Sequence, residues 1–290
     1  DRERTAEDME EKLKALVEGV EGAEKINISL LRPGPPQGED IEITLVAEND
    51  IQRNLAADKL EKILKSIAGV DNINRNDETV YTALIPNLKG LEASLKCGYS
   101  SVAIFTAASE TFSQKNTNCS IEESIRRIEE MVPLCEENNL RLRGYISTCW
   151  VCPYEGDVGA QAVVKVVQDL LDLGVHEISL GDTIGKATPE DVEYLLEIIL
   201  DNWPPEIFAL HMHDTFNMAA ENIAVGLGMG LRILDSSAGG VGGCPYAPGA
   251  SGNIATETVA RICKEQGFET GIDLDKLRVA GTFIQSIIQQ

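Results

Sequence analysis

The feature that most constrains the fold of this chain is a regular alternation of short apolar strands with amphipathic helices, which begins near Tyr81. This alternation is typical of βαβ units, in which helices connect parallel strands and cover the sheet. We predict strands at residues 82–85, 101–106, 141–147, 177–180, 208–211 and 232–235. Helices are predicted at 88–97, 121–137, 159–173, 189–202, 218–229 and 254–266, with a last helix at 274–288.

Polar residues that could carry chemistry come directly after most of these strands. Because the carboxyl ends of parallel strands meet at one end of a barrel, this placement is typical of the active face of a (β/α)8 barrel. A doubly wound open sheet is the alternative, but it would concentrate its site at one switch point. The residues concerned are Asn87, Lys89, Ser109, Glu110, Asp182, His211, His213 and Cys244.

Residues 1–80 follow a different order. They predict a helix at 5–20, strands at 25–31 and 41–47, a helix at 51–67 and a strand at 70–74. The order α-β-β-α-β indicates a small α+β domain with an antiparallel pair rather than two more barrel units. We therefore place a domain boundary between residues 78 and 79. The second domain is predicted to be an α/β fold of the (β/α)8 TIM-barrel type, incomplete because only six β/α units are present.

Composition and charge narrow the partners of the chain. Its 25 basic and 47 acidic residues give a net charge of −22, which argues against nucleic-acid binding. No run of about 18 apolar residues occurs, so we expect no membrane span. The charged start is not expected to be a secretory signal. Seven cysteines, an odd number, indicate reduced thiols and a cytoplasmic location.

A glycine-rich loop at residues 235–253 contains the thiol of Cys244 and ends at the amide of Asn253. Such a loop is either a plain connection or a lid that closes over a substrate and carries a reactive group. The thiol, set between a glycine and a proline, favours the lid. The loop follows a His-Met-His-Asp segment, and side chains two apart on a strand face the same side. His211 and His213 are therefore predicted to share one side, where they either bind one metal ion or form a polar rim at the strand end.

From about Tyr81 to its end the chain resembles the 3-hydroxy-3-methylglutaryl-CoA lyases, a family of metal-dependent enzymes with a (β/α)8 fold. The His-Met-His-Asp-Thr segment at 211–215 is shared by a wider superfamily of aldol-type lyases and synthases, whereas the glycine loop is more specific to the lyases. Other matching stretches are LIPNLKG at 84–90, AASE at 107–110, NCSIEES at 118–124, CPYEG at 152–156 and EISLGDTIG at 177–185.

The resemblance implies cleavage of 3-hydroxy-3-methylglutaryl-CoA to acetoacetate and acetyl-CoA, a reaction of leucine degradation and ketone-body metabolism. It implies a divalent cation, Mg²⁺ or Mn²⁺, held by His211, His213 and Asn253. It also makes Cys244, Asp182 and His211 the catalytic residues, with the Cys244 thiol protonating the enolate and Asp182 orienting the reacting groups. Capping of the following helix is the alternative role for Asp182.

The resemblance further implies an acyl-CoA substrate and, as an expected assembly, a homodimer. The substrate-binding residues would come from the first two strand ends, with the ammonium group of Lys89 meeting the CoA phosphates. Solvation of an exposed charge is the alternative for that lysine. The complete set of substrate-binding residues is Asn87, Lys89, Ser109 and Glu110.

Two departures from the family pattern lower the expected activity. The family's first strand carries an Arg-Asp-Gly motif, which supplies a metal ligand and an arginine that stabilises the enolate, and this motif is absent. The acidic residue expected on the second strand is also missing. We therefore expect impaired turnover. A synthase of the same superfamily, which would condense acetyl-CoA with a keto acid, is the alternative enzyme.

Residues 1–78 are similar to a ferredoxin-like subdomain of efflux transporters of the resistance-nodulation-division type. The similar stretches are LRPGPP at 31–36, residues 41–45 and KILKSIAGV at 62–70. This resemblance implies a fusion of two unrelated pieces, with a small ferredoxin-like α+β domain in front of the barrel. A non-enzymatic transporter fragment is the alternative interpretation of the whole chain.

Overall fold

The computed structural model describes residues 25–30, 41–46, 79–242 and 252–288. The chain divides into two compact units between Asn76 and Asp77. In the first unit, strands β1 (Lys25–Leu30) and β2 (Ile41–Val46) pair antiparallel, as the sequence predicts. The predicted helices at 5–20 and 51–67 and the strand at 70–74 lie outside the described residues. The ferredoxin-like domain and its boundary at 78 and 79 therefore stay predictions.

The second unit is built on a parallel sheet. Among the described residues six strands form it, and they agree with the predicted ones to within two residues at each end. They are β3 (Thr82–Leu84), β4 (Ser101–Ala107), β5 (Arg141–Ser147), β8 (Glu177–Asp182), β9 (Phe208–Met212) and β10 (Ile233–Asp235). Their order in the sheet is β10-β9-β8-β5-β4-β3, and every neighbouring pair is parallel. A separate antiparallel ribbon joins β6 (Val151–Cys152) and β7 (Gly156–Asp157).

Helices follow the strands as the alternation predicts, with two corrections. A helix after β4 was not predicted, and it begins because the Ser109 hydroxyl accepts the Phe112 N–H at its N-terminus. The single helix predicted at 121–137 is wrong, since two helices occur and the second carries a proline in its first turn. The helices are α1 (Leu88–Lys96), α2 (Glu110–Thr117), α3 (Ile121–Glu129), α4 (Val132–Glu137), α5 (Ala160–Asp172), α6 (Pro189–Leu200), α7 (Ala219–Gly228), α8 (Thr256–Glu265) and α9 (Leu274–Ile288).

The two faces of the sheet differ in polarity. The face that packs under the helices is apolar, with Ile146, Leu180 and Leu210 fully buried in neighbouring positions on β5, β8 and β9. The opposite face alternates with it at the two-residue period of a strand. Its residues on β5 and β8 are mostly polar, and Arg143 on β5 meets Asp235 on β10 across two intervening strands. This contact identifies the polar face as the concave one.

The sheet is an open half barrel, which confirms the predicted incomplete (β/α)8 architecture. β3 and β10 are its outer strands, and neither pairs with another described strand along its free edge. Within the described part of the chain, no helix combines the length and apolar character needed to cross a membrane. All six cysteines in the described ranges are free, as the sequence predicts.

Candidate active site

Two imidazoles stand at the carboxyl end of β9. His211 is the fourth residue of the strand, and His213 follows the strand directly. Their ring centroids are 5.5 Å apart, so the predicted pairing of the two side chains on one side of the chain is observed. The ring of Tyr145 meets the His211 ring edge-on, with centroids 5.8 Å apart. The strand therefore presents both imidazoles to one small volume.

His213 is the more enclosed of the two imidazoles. Its Nδ1 atom is buried and has no hydrogen-bond partner among the described residues. Burial lowers the pKa of His213 to about 4, and the neighbouring His211 acts in the same direction. The ring is therefore neutral at physiological pH, with a lone pair available on one nitrogen. A neutral imidazole with an unused buried nitrogen is the form that binds metal ions.

Asn253 lies beside His213 because the end of the glycine loop pairs with the end of β9. The two residues form an antiparallel bridge, and the Ile254 N–H donates to the Met212 carbonyl at 3.2 Å. The Asn253 amide nitrogen donates to the Val241 carbonyl at 3.1 Å, which orients the side chain. The structure thus brings together the three residues that the sequence assigns to the metal.

These residues fit a divalent cation in part. Two imidazoles and an amide oxygen are suitable donors for Mn²⁺ or Mg²⁺, and the unpartnered His213 nitrogen is an available ligand atom. No group of three or more His, Cys, Asp or Glu side chains that could hold a metal occurs within the ranges that the structure describes. The described donors therefore form an incomplete set without an anionic ligand.

Asp235, at the end of β10, is a site residue that the sequence did not reveal. Its Oδ1 accepts from Arg143 Nη2 at 2.7 Å, and its Oδ2 accepts from the Ser179 hydroxyl at 2.7 Å. His211 Nδ1 lies 3.4 Å from the same Oδ2. Burial opposes ionisation of this carboxyl, but the His211 contact, the Arg143 charge and the Ser179 hydroxyl outweigh it and hold the pKa of Asp235 below its ordinary value. A fixed negative charge therefore stands beside His211.

Arg143 is held by a second carboxylate as well. Its Nε lies 2.5 Å from Glu177 Oε1 in an ion pair, although this N–H is not directed along a hydrogen bond. The guanidinium also donates to the Tyr145 hydroxyl at 2.9 Å and lies over the Tyr145 ring, 4.8 Å from its centroid. The concave face is thus a connected polar layer that reaches from β5 to β10.

The sequence carried a signal for this layer. Arg141, Arg143 and Tyr145 alternate with apolar residues along β5, whereas a parallel strand covered on both faces is a nearly continuous apolar run. Glu177 and Ser179 do the same on β8. Two-residue polar periodicity in buried parallel strands would have indicated polar groups inside the barrel. It would not have indicated which of them meet.

Asp182 ends β8 and has a different environment from His211. It is in register with the buried Met212 rather than with His211. Its two carboxylate oxygens accept the backbone N–H groups of Lys186 and Ala187, at 3.1 and 3.0 Å. Burial raises the pKa of Asp182 to about 6, against the lowering effect of these backbone donors. The carboxyl therefore organises the loop between β8 and α6, and its catalytic role stays a prediction.

The alternative role for Asp182, capping of α6, falls to another residue. Thr188 caps this helix, because its hydroxyl accepts the Asp191 N–H while the Asp191 carboxylate accepts the Thr188 N–H. This reciprocal pair is a capping box. Asp182 acts earlier in the same connection, on the turn that precedes the cap.

The four predicted substrate-binding residues lie at the other side of the sheet, after β3 and β4. Asn87 and Ser109 cap α1 and α2, and Ser109 also donates to the Cys152 sulfur at 3.0 Å. Glu110 accepts the Ile121 N–H at 3.1 Å, and Lys89 is exposed. β3 is four strand spacings from β9, about 19 Å along the sheet. Substrate contact by these four residues stays a prediction, as does the role of Cys244, which lies outside the described residues.

A parallel half barrel with polar side chains gathered at the carboxyl ends of its strands is the architecture of a (β/α)8 enzyme, whose active face lies at that end. The family model described as HMGL-like matches residues 54–284, and the chain belongs to this family. The match begins within the segment that the sequence assigned to the small domain.

Curated relatives of the chain are hydroxymethylglutaryl-CoA lyases. The cytoplasmic 3-hydroxy-3-methylglutaryl-CoA lyase of Rattus norvegicus is 46% identical over 204 residues, which cover 70% of this chain and 60% of that protein. The hydroxymethylglutaryl-CoA lyase of Pseudomonas mevalonii is 44% identical over 224 residues, which cover 76% of this chain and 74% of that protein. The chain thus spans about three fifths of the rat relative and about three quarters of the bacterial one.

Solved structures of similar proteins agree with this assignment. The HMG-CoA lyase of Brucella melitensis has a TM-score of 0.74 and 47% identity, and the likeness covers 75% of this chain and 77% of that one. An HMG-CoA lyase of Acinetobacter baumannii, solved in complex with coenzyme A and 3-methylmalate, has a TM-score of 0.71 and 32% identity, covering 82% of this chain and 75% of that one.

Proposed function

We propose that this chain is a metal-dependent carbon–carbon lyase that cleaves 3-hydroxy-3-methylglutaryl-CoA to acetoacetate and acetyl-CoA. The observation that carries the proposal is the convergence of His211, His213 and Asn253 at the carboxyl end of the half barrel. The membership of the HMGL-like family supports it. The same proposal includes a cytoplasmic location, where the thiols stay reduced, and a role in leucine degradation and ketone-body metabolism.

A bound Mg²⁺ or Mn²⁺ would act as a Lewis acid that stabilises negative charge on substrate oxygens. His211, His213 and Asn253 would hold it. Neutral His213 offers a nitrogen lone pair without releasing a proton, because its pKa is about 4. The Cys244 thiol would donate the proton that converts the acetyl-CoA enolate to product. Asp182 would orient the reacting groups indirectly, by fixing the loop that follows β8.

The acyl-CoA would extend from the imidazole pair toward the ends of β3 and β4. Lys89 is an exposed cation near the end of β3, and a cation there suits the phosphates of a long cofactor arm. The complex of the A. baumannii relative with coenzyme A supports an acyl-CoA ligand. A homodimer is the proposed assembly, with the open sheet edges as the available surface.

We propose that turnover is impaired. An anionic metal ligand is missing from the described donor set, and removal of one group that stabilises transition-state charge costs about 10² or more in rate. The fusion of an efflux-transporter piece at residues 1–78 remains part of the proposal. A synthase that condenses acetyl-CoA with a keto acid is the alternative activity, but the Cys244 loop favours the lyase.

The test is acetyl-CoA release from 3-hydroxy-3-methylglutaryl-CoA by the full chain with saturating Mn²⁺, beside the P. mevalonii lyase. We expect turnover about 10²-fold or more below that lyase, abolished by Cys244→Ala. Cys97→Ala changes an exposed thiol and is the matched control, which should retain the rate. Turnover equal to the reference lyase contradicts the impairment. A rate that survives Cys244→Ala contradicts the role of the thiol, and condensation without cleavage favours the synthase.

A further inference from the structure

We infer that Asp235 is a positioning residue, which holds the His211 ring in the tautomer with its proton on Nδ1. The Nδ1 atom lies 3.4 Å from Asp235 Oδ2. A carboxylate can only accept hydrogen bonds, so the ring nitrogen that faces it must be the one that carries the proton. The other nitrogen, Nε2, then keeps its lone pair.

The carboxylate is anchored independently of the histidine. Arg143 Nη2 donates to Oδ1 at 2.7 Å, and the Ser179 hydroxyl donates to Oδ2 at 2.7 Å. The side chains of Asp235 and Arg143 are 14% and 13% exposed, so water competes little for these bonds. The position of Asp235 is therefore held by β5 and β8 independently of His211.

The backbone and a neighbouring ring restrict His211 as well. His211 and Asp235 are partners in the register of β9 and β10, which brings their side chains to the same face. The Tyr145 ring packs edge-on against the imidazole, at an interplanar angle of 88°. The Tyr145 ring therefore restrains the plane of the imidazole, and the Asp235 contact selects between the two flipped orientations in that plane.

This tautomer matters for the proposed metal site, and in that respect the inference rests on the proposed function. With the proton fixed on Nδ1, Nε2 is the only His211 nitrogen that can ligate a cation. A carboxylate behind a ligating imidazole fixes its tautomer and orientation and increases its basicity. Asp235 would thus prepare His211 for the cation without touching it.

The tautomer can be read in the unsubstituted chain, because it contains only three histidines. We would label them with ¹⁵N and record long-range ¹H–¹⁵N spectra at about pH 8, above the ordinary histidine pKa of about 6.5. His176→Gln and His213→Gln variants assign the signals. His176 is an internal reference of the opposite kind, since its Nδ1 accepts the Leu142 N–H at 3.3 Å and its proton must sit on Nε2.

We expect the Nδ1–H pattern for His211, and we expect Asp235→Asn to shift it toward the Nε2–H pattern. Ser179→Ala is the matched control, because it removes one donor to the carboxylate but leaves the charge, and it should keep Nδ1–H. An Nε2–H pattern in the unsubstituted chain overturns the inference, and that measurement decides even if Asp235→Asn fails to fold. An unchanged pattern in folded Asp235→Asn overturns it too. The readout needs no turnover, so a failed lyase assay leaves this result intact.

Discussion

Two aspartates, at the ends of β8 and β10 on either side of β9, have opposite electrostatic environments. Asp235 has an arginine partner on the concave face, and its pKa is lowered. Asp182 faces the apolar side of the sheet, and burial raises its pKa to about 6 in spite of its backbone donors. The backbone N–H groups around Asp182 therefore compensate its burial less completely than His211, Arg143 and Ser179 compensate the burial of Asp235. The two carboxyls differ in what they contribute to stability at neutral pH.

For Asp182 we predict a pH-dependent stability penalty. Its folded pKa of about 6 lies above the unfolded value of about 3.9. The stabilisation by this group is fully present below about pH 4 and is lost as the pH rises through about 6. In Asp182→Asn this loss disappears. The stability of the variant relative to the unsubstituted chain should therefore increase by about 2–3 kcal/mol between pH 4 and pH 7.

Urea unfolding of both chains at several pH values measures this difference. Asp172→Asn, on the exposed end of α5, is the matched control for loss of one negative charge. A difference between Asp182→Asn and the unsubstituted chain that is constant from pH 4 to pH 7 would show that Asp182 titrates alike in both states.

At this scale the sequence revealed part of the site. The imidazole pair could be predicted because both residues and their spacing lie in one strand, and the structure brings them together. Asp235 could not be predicted as the partner of His211, because its side chain is held in place by Arg143, 92 positions earlier in the chain. A local pattern shows which face a residue occupies. It does not show which residue from another strand will meet it.

Among the elements, the connection between β8 and α6 packs closely against the segment that carries His213. Gly185 in this connection has φ +69°, and a Cβ built there would lie 2.7 Å from the His213 carbonyl oxygen and 2.9 Å from Thr215 N. The loop can approach β9 this closely only without a side chain at that position. The exact contact was not visible in the sequence, although the strand and the helix on either side were predicted.

We predict that Gly185→Ala destabilises the second unit by about 2 kcal/mol or more. A left-handed backbone at a residue with a Cβ costs about 1–2 kcal/mol, and the backbone clash adds to it. Gly228→Ala is the matched control, because Gly228 lies in α7 and a Cβ there meets nothing within 4 Å. That control should be neutral or more stable by up to about 1 kcal/mol. Urea midpoints of the two variants measure both effects, and equal midpoints would contradict the close approach.

For the whole molecule, the open sheet is the dominant feature. The alternation of strands and helices was enough to predict the six units and the open sheet found among the described residues, since each βαβ unit is local in sequence. Large apolar side chains are open at the outer strand β3, where Leu84 is 63% exposed and Val80, just before the strand, is 67% exposed. An exposed strand edge with apolar residues favours association between chains. The composition alone gave no indication of this liability, because the net charge of −22 suggests repulsion.

We predict that Leu84→Lys lowers the tendency of the chain to self-associate, because a lysine on an edge strand opposes edge-to-edge pairing. Light scattering after size-exclusion chromatography, at increasing protein concentration, measures the effect. Tyr194→Lys is the matched control, since Tyr194 is similarly exposed at 61% but lies on α6. If both variants associate as strongly as the unsubstituted chain, the β3 edge is not the contact.

The ion pair between Arg143 and Asp235 has a geometric consequence for the half barrel. Their strands, β5 and β10, are three spacings apart in the sheet order, about 14 Å on a flat sheet, yet the two side chains meet at 2.7 Å. The pair spans the arc of the sheet as a chord. In a closed barrel a complete ring of strand pairing holds the wall together, whereas among the described strands β10 is paired on one side alone. The charge pair therefore gives this outer strand a second attachment to the sheet, by way of β5 and across the concave face.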